Sequence, residues 1–266
     1  MKFSRLSPRR SSLALLAAGT LALAGTAAAP SFAADSGQLF VVQGLPGQQV
    51  DVAIDGKSVA TNVDTAALVG PFDVAGGART VTITSGGETL VKRKVNVKAN
   101  TSSDVVVHLP AQGDGEATIT AYRNDRWSVP KDKAALTVSH TAAVPPADIQ
   151  VNGKPLFTDV ANGESLSLVV PVATYRVGIV PTGESKPFFF GPVELTVKGG
   201  ALNRVYAIGD PTKKTMNVAV HVLTAAQLGS AAPSRVDTGT GGQAAGAQAP
   251  QTELEAQAAY HYDLLR

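Results

Sequence analysis

Val50-Asp51-Val52-Ala53-Ile54 alternates apolar and polar residues and runs straight into Asp55-Gly56. Ala147-Asp148-Ile149-Gln150-Val151 does the same and ends on Asn152-Gly153, so Ile149–Asn152 answers Val52–Asp55 at an offset of 97 residues. Alternation puts successive side chains on opposite faces of a strand. Asx-Gly after such a run is the strongest short-range signal for a tight hairpin. A pattern of this kind met twice at a domain-sized period predicts a duplicated all-β unit, not a solenoid.

The rest of the chain fits that frame. Leu39–Val42, Arg79–Thr84, Thr89–Val97, Asp104–Leu109 and Glu116–Tyr122 read as strands between Gly-, Pro- and Asn-rich turns. Leu68–Val74 carries Gly70-Pro71 and reads as an edge or broken strand. About eight short strands roughly ten residues apart are the pattern of a sandwich. In the second copy Asp159-Val160 answers Asn62-Val63 at 97, and Tyr175–Ile179 answers Arg79–Ile83 at 96. The predicted fold is therefore all-β, two tandem immunoglobulin-like β-sandwich domains over residues 38–127 and 134–225. Two separate apolar interiors are expected, joined by a short, stiff connector at 123–131 that holds Trp127.

Both ends read differently. Met1–Arg10 is basic, and Leu13–Ala24 is an apolar run too short to span a bilayer. Ser31-Phe32-Ala33 supplies small residues for cleavage before Ala34, with Ala27-Ala28-Ala29 as an alternative. Residues 1–33 are thus expected to be a signal peptide, by the general or the twin-arginine route, with no transmembrane segment after its removal. Residues 229–266 open on a Gly, Ala, Ser, Gln and Pro stretch and are expected to be a flexible, disordered tail with a short helix near Leu254–Leu265.

Charge and cysteine content narrow the function. Lys2, Arg5, Arg9 and Arg10 lie in the leader, so 23 basic residues become 19 against 21 acidic ones, a net charge of 19 − 21 = −2. A near-neutral surface argues against nucleic acid as the partner. The chain has no cysteine, which excludes disulfides and thiolate metal sites.

Catalytic signals are weak. His108, His140, His221 and His261 do not fall at metal-ligand spacing, and no phosphate loop or nucleophile elbow occurs. Asp51 and Asp148 occupy equivalent places and read as strand residues beside a turn. No catalytic residue, metal site or cofactor is assigned. The nearest polar pair for an enzyme would be Asp148 and His140. Phe188-Phe189-Phe190 is set where Lys92-Arg93-Lys94 falls in the first copy, and three consecutive aromatics on a strand cannot all face one core. Trp127, Phe188, Phe189 and Phe190 are the candidate binding surface.

Thr137-Val138-Ser139-His140-Thr141, Pro145-Pro146-Ala147-Asp148-Ile149-Gln150-Val151-Asn152-Gly153-Lys154, Pro171–Val177 and Arg204–Gly209 together resemble the family called domain of unknown function 4397. The second copy matches the motif well, although Val172-Ala173-Thr174 lacks its central Gly. In the first copy Gln43 replaces the motif's His and Arg79 its Tyr. The resemblance implies secreted or envelope-associated bacterial β-sandwich modules, often in tandem, and supplies no catalytic residues. The expected function is a non-enzymatic binding or spacer module, secreted or associated with the cell wall. Its expected partner is a cell-wall polymer, a polysaccharide or another envelope protein. The alternative is an accessory or catalytic domain of an extracellular polysaccharide-active or hydrolytic system.

Overall fold

The computed structural model describes residues 36–125, 129–224 and 227–228; the signal-peptide, C-terminal-tail and Trp127 expectations lie outside them. Asp55 and Asn152 adopt φ of 50° and 52°, and Gly56 and Gly153 follow at 81° and 80°. Two successive left-handed residues make the turn whose twist matches that of paired strands, which is why Asx-Gly stands at both places. Each turn closes a hairpin: β2 (Val50–Ile54) with β3 (Lys57–Val63), and β10 (Ala147–Val151) with β11 (Lys154–Val160).

The first half continues the series with β1 (Ser36–Gln43), β4 (Leu68–Ala75), β5 (Gly77–Ser85), β6 (Glu88–Val97), β7 (Ser102–His108) and β8 (Thr118–Asn124). The second half has β9 (Lys133–His140), β12 (Ser165–Pro171), β13 (Thr174–Pro181), β14 (Phe190–Thr196), β15 (Ala201–Ile208) and β16 (Asn217–Thr224). There is no helix among the described residues, and hence none long and apolar enough to cross a membrane. The sheets run β4-β1-β7-β8 and β3-β2-β5-β6, then β12-β9-β15-β16 and β11-β10-β13-β14. Strand for strand the second half repeats the first, including one parallel contact in each, β1 with β7 and β9 with β15.

The all-β sandwich expectation holds, but its immunoglobulin-like order does not. A constant-type immunoglobulin domain puts its first strand beside its second in one sheet. Here β1 lies inside its sheet between β4 and β7, and β2 belongs to the other sheet. Alternation dictates which face of a strand is buried, not which neighbour it takes. Burial explains the choice: Phe40 to Gln43 are all buried, and a strand apolar on both faces needs cover on both.

That second cover is the other half of the molecule. Leu39, Val41, Val105 and Val107 turn into the first sandwich, with Val52, Ile83 and Ile119. Leu136, Val138 and Val205 turn into the second, with Ile149, Val170 and Tyr175. The intervening residues of the same strands turn the other way. Val42, Val106 and Tyr122 cluster with Tyr206, Ile208 and Ala219 across the two halves. Phe40 joins Ala135, Leu202, Leu223 and Leu228. Sheet β4-β1-β7-β8 therefore packs on sheet β12-β9-β15-β16, and the expected pair of interiors becomes three. Every residue of β7 and β15 is buried as a result.

Gly209, just after β15, shows how tightly the repeat is closed. Its φ is 95°, and a Cβ there would run into the carbonyl of Thr215. Gly209→Ala combines a disfavoured backbone with that overlap, and is expected to cost about 2 kcal/mol or more, read as a lowered urea midpoint at unchanged slope.

Candidate binding groove and inter-sheet polar cluster

A groove of about 570 Å³ opens on the outer face of sheet β11-β10-β13-β14. Gln150 and Asn152 of β10, Arg176 of β13 and Pro192 of β14 line it, together with Lys186 and Phe188 from the loop between β13 and β14. The volume lies in the range of small-ligand sites. Its shape depends on Gly178: a Cβ there would stand 2.6 Å from Phe188 Cε1 and 2.8 Å from Cδ1, so the ring rests on bare backbone. The loop is pinned to the sheet. Gln150 Nε2 donates to Glu184 O at 3.3 Å, Thr182 Oγ1 to Pro146 O at 2.9 Å, and Phe189 N to Ile179 O at 2.8 Å.

The structure separates the three phenylalanines. Phe188 lines the groove. Phe189 and Phe190 pack against Ala142, Val144, Ala147, Ile179 and Ala207. Only Phe190 lies on a strand, at the start of β14, so the expectation of three aromatics on one strand is corrected. Their alignment with Lys92-Arg93-Lys94 is corrected too. Val81 pairs with Arg93 and Val177 with Val193, so Pro192-Val193-Glu194 is the true counterpart. The β5–β6 connection is Gly86-Gly87, whereas residues 182–189 connect β13 to β14, and that insertion shifted the alignment.

Asp51 and Asp148 have a backbone role. Asp51 Oδ1 accepts from Asn62 N at 2.8 Å, and Asp148 Oδ1 from Asp159 N at 2.9 Å. Asn62 and Asp159 have φ of 53° and 57° at the irregularity where each hairpin shifts register. Asp148 Oδ2 also accepts from Gly183 N at 2.9 Å. His140 Nε2 instead lies 3.3 Å from Pro145 O, so this pair engages main chain on both sides and not each other.

A second polar group lies between the sandwiches, and sequence reasoning missed it. Asp104 of β7 is fully buried. Tyr206 donates its hydroxyl to Asp104 Oδ2 at 2.5 Å, and His221 Nδ1 stands 2.9 Å from the same oxygen. Asn124 Nδ2 donates to Asp104 Oδ1 at 2.7 Å. Burial, and next the Asp104 carboxylate, push the Tyr206 phenol well above its ordinary 10.0, which keeps it a donor. Arg204 donates to Arg123 O at 2.8 Å and lies 5.5 Å over the Tyr122 ring. The signal was an Asp opening the all-apolar run Val105-Val106-Val107, a charge in a strand with no wet face. Among the described residues no three His, Asp or Glu side chains gather as a metal site requires.

His108 and His140 set a pH dependence. Burial pushes both below the ordinary 6.5, against opposition from the Leu109 and Pro145 carbonyls respectively. The unfolded chain therefore takes up these protons first. Their contribution is complete above about pH 6.5 and is lost as pH falls from there through the lowered folded-state values. Asp210 is held below its ordinary 3.8, because hydrogen bonds from Thr212 and the nearby Lys213 outweigh burial, so it adds a loss only below that pH. Urea midpoints are expected to be flat from pH 8 to about 6.5 and to fall below it. His108→Gln with His140→Gln should flatten the fall between about pH 6.5 and 5.

No curated protein matches the chain. Residues 37–147 match the model of the family described as domain of unknown function, DUF4397. That span runs from β1 through the connection and β9 to Ala147, so it contains Val138, His140, Pro145 and Pro146 of the motif. That segment, the first sandwich and the strand that opens the second, is similar to the DUF4397 family.

Proposed function

We propose that this chain is an exported, non-enzymatic binding protein of the bacterial cell envelope, whose two packed sandwiches present one ligand groove. The observation that carries the reading is the groove over β10 and β13 on the outer face of the second copy. In the first copy Thr82 stands at the position of Gly178, and a two-residue turn replaces the loop that brings Phe188. A duplicated unit that keeps its core but changes one outer face is what a gained contact surface looks like. The basic leader with its short apolar run supports export, and the near-neutral charge after its removal suits a wall polymer, polysaccharide or envelope protein better than nucleic acid.

The full chain without its leader should be retained on at least one purified envelope fraction. Phe188→Ala should reduce the retained share several-fold. No retention of the native protein on any fraction would overturn the proposal.

A further inference from the structure

We propose that the groove takes an anionic glycan, with a sugar ring against Phe188 and its carboxylate or phosphate between Arg176 and Lys186. The proposal rests on the binding reading above and names the ligand class.

The duplication supplies an internal control. Pairing of β2 with β5 and of β10 with β13 sets Ala53 beside Thr82 in the first half and Gln150 beside Gly178 in the second. By the same registers Gln150, Asn152, Arg176 and Gly178 replace Ala53, Asp55, Thr80 and Thr82. In that exchange a carboxylate is lost, a guanidinium and two amides are gained, and a β-branched side chain becomes bare backbone. The bare backbone makes room for a ligand, and the guanidinium and amides offer it donors. On β14 Pro192 and Glu194 stand where β6 carries Lys92 and Lys94, so the positive charge at the groove rests on Arg176 and Lys186.

The chemistry is complementary to an acidic sugar. Arg176 and Lys186 are exposed, and neither takes part in an ion pair among the described residues. Glu194 stands across the strand pair from Arg176 without closing on it. A guanidinium fork matches the two oxygens of a carboxylate or a phosphate. Asn152 Oδ1 accepts from Arg176 N at 3.0 Å, which fixes the amide and leaves its Nδ2 to donate to a hydroxyl. The Phe188 ring supplies the flat apolar wall on which the C–H face of a pyranose packs. An acidic peptide would satisfy the cations and leave the ring without a matching face.

The test is titration calorimetry of the full chain at low salt with four probes of similar length: hexagalacturonate, neutral galactohexaose, a hexamer of galactose units linked by phosphodiesters, and hexaglutamate. Binding of hexagalacturonate or of the phosphate hexamer is expected, and whichever binds identifies the source of the charge. Arg176→Gln and Phe188→Ala should each weaken it at least tenfold, and Gly178→Val, which displaces the ring, should do the same. Lys94→Gln, on the corresponding face of the first sandwich, should leave it unchanged. Equal binding of the neutral oligosaccharide or of hexaglutamate, or an unaffected Arg176→Gln, would overturn the inference. If the native chain and Arg176→Gln are retained equally on envelope fractions, the binding reading stands and this ligand class falls. If the native chain binds no fraction and no probe, both fall.

Discussion

Asp104→Ala is expected to destabilise the protein by about 3–5 kcal/mol, the usual consequence of removing one partner from a buried charged group. The carboxylate is fully buried and holds three side chains, the Tyr206 hydroxyl, His221 Nδ1 and Asn124 Nδ2. Without it all three remain in the apolar layer, and a stranded buried donor costs about 1–3 kcal/mol. The Phe40 ring, 4.4 Å from the His221 ring, leaves no solvent on that side to replace the lost bonds. For a chain of this size the melting temperature should drop by on the order of 10 °C. Tyr206→Phe removes one donor and leaves the carboxylate two partners, so its effect should be the smaller of the two. Scanning calorimetry of both variants checks the ranking, and equal melting temperatures would contradict it.

The second large effect separates the three interiors from one another. Val106 faces the layer between the sandwiches, and its neighbour Val105 faces the interior of the first. Both are completely buried. Val106→Asp adds a second carboxylate to a dry layer already holding Asp104, and such a burial costs more than about 4 kcal/mol. The chain can relieve that by parting the two inner sheets while each sandwich keeps its own core. The native protein should therefore unfold in urea in one step, and Val106→Asp in two, with a larger radius of gyration by small-angle scattering before the first. Val105→Asp has no such escape and should unfold the first sandwich itself. Two native transitions, or the same behaviour from both variants, would show that the inter-sheet layer does not couple the halves.

These two neighbours also mark how far the sequence could be read. The strict alternation of Arg79–Thr84 announced β5, and Asx-Gly announced both hairpins, because those signals are local. Val105-Val106-Val107 carries no alternation, since both faces of β7 are covered, and a run of that kind does not say what covers it. The strand order was hidden for a related reason. β1 takes its partner from β7, more than sixty residues on, and no turn chemistry reports a pairing at that distance. Asp104 and His221 lie 117 positions apart, so their contact exists only once two sheets face each other. In the groove, Phe188 was picked out as an aromatic against strand logic, and it does line the cavity. Arg176 and Gln150 carry no signal in the sequence beyond a polar strand position, and Asn152 none beyond its turn. What brings them into one groove is Gly178, whose missing side chain admits the Phe188 ring.

The parallel contact between β1 and β7 has a consequence for assembly in time. The strand that fills the centre of the inner sheet is nearly the last of its unit to leave the ribosome. Until it arrives, β1 has β4 on one side only, and the nascent chain exposes unpaired backbone on the other. Long-range pairing of this kind makes for slow folding. A polypeptide that stays open until its closing strand emerges meets the requirement that the export proposed above would impose.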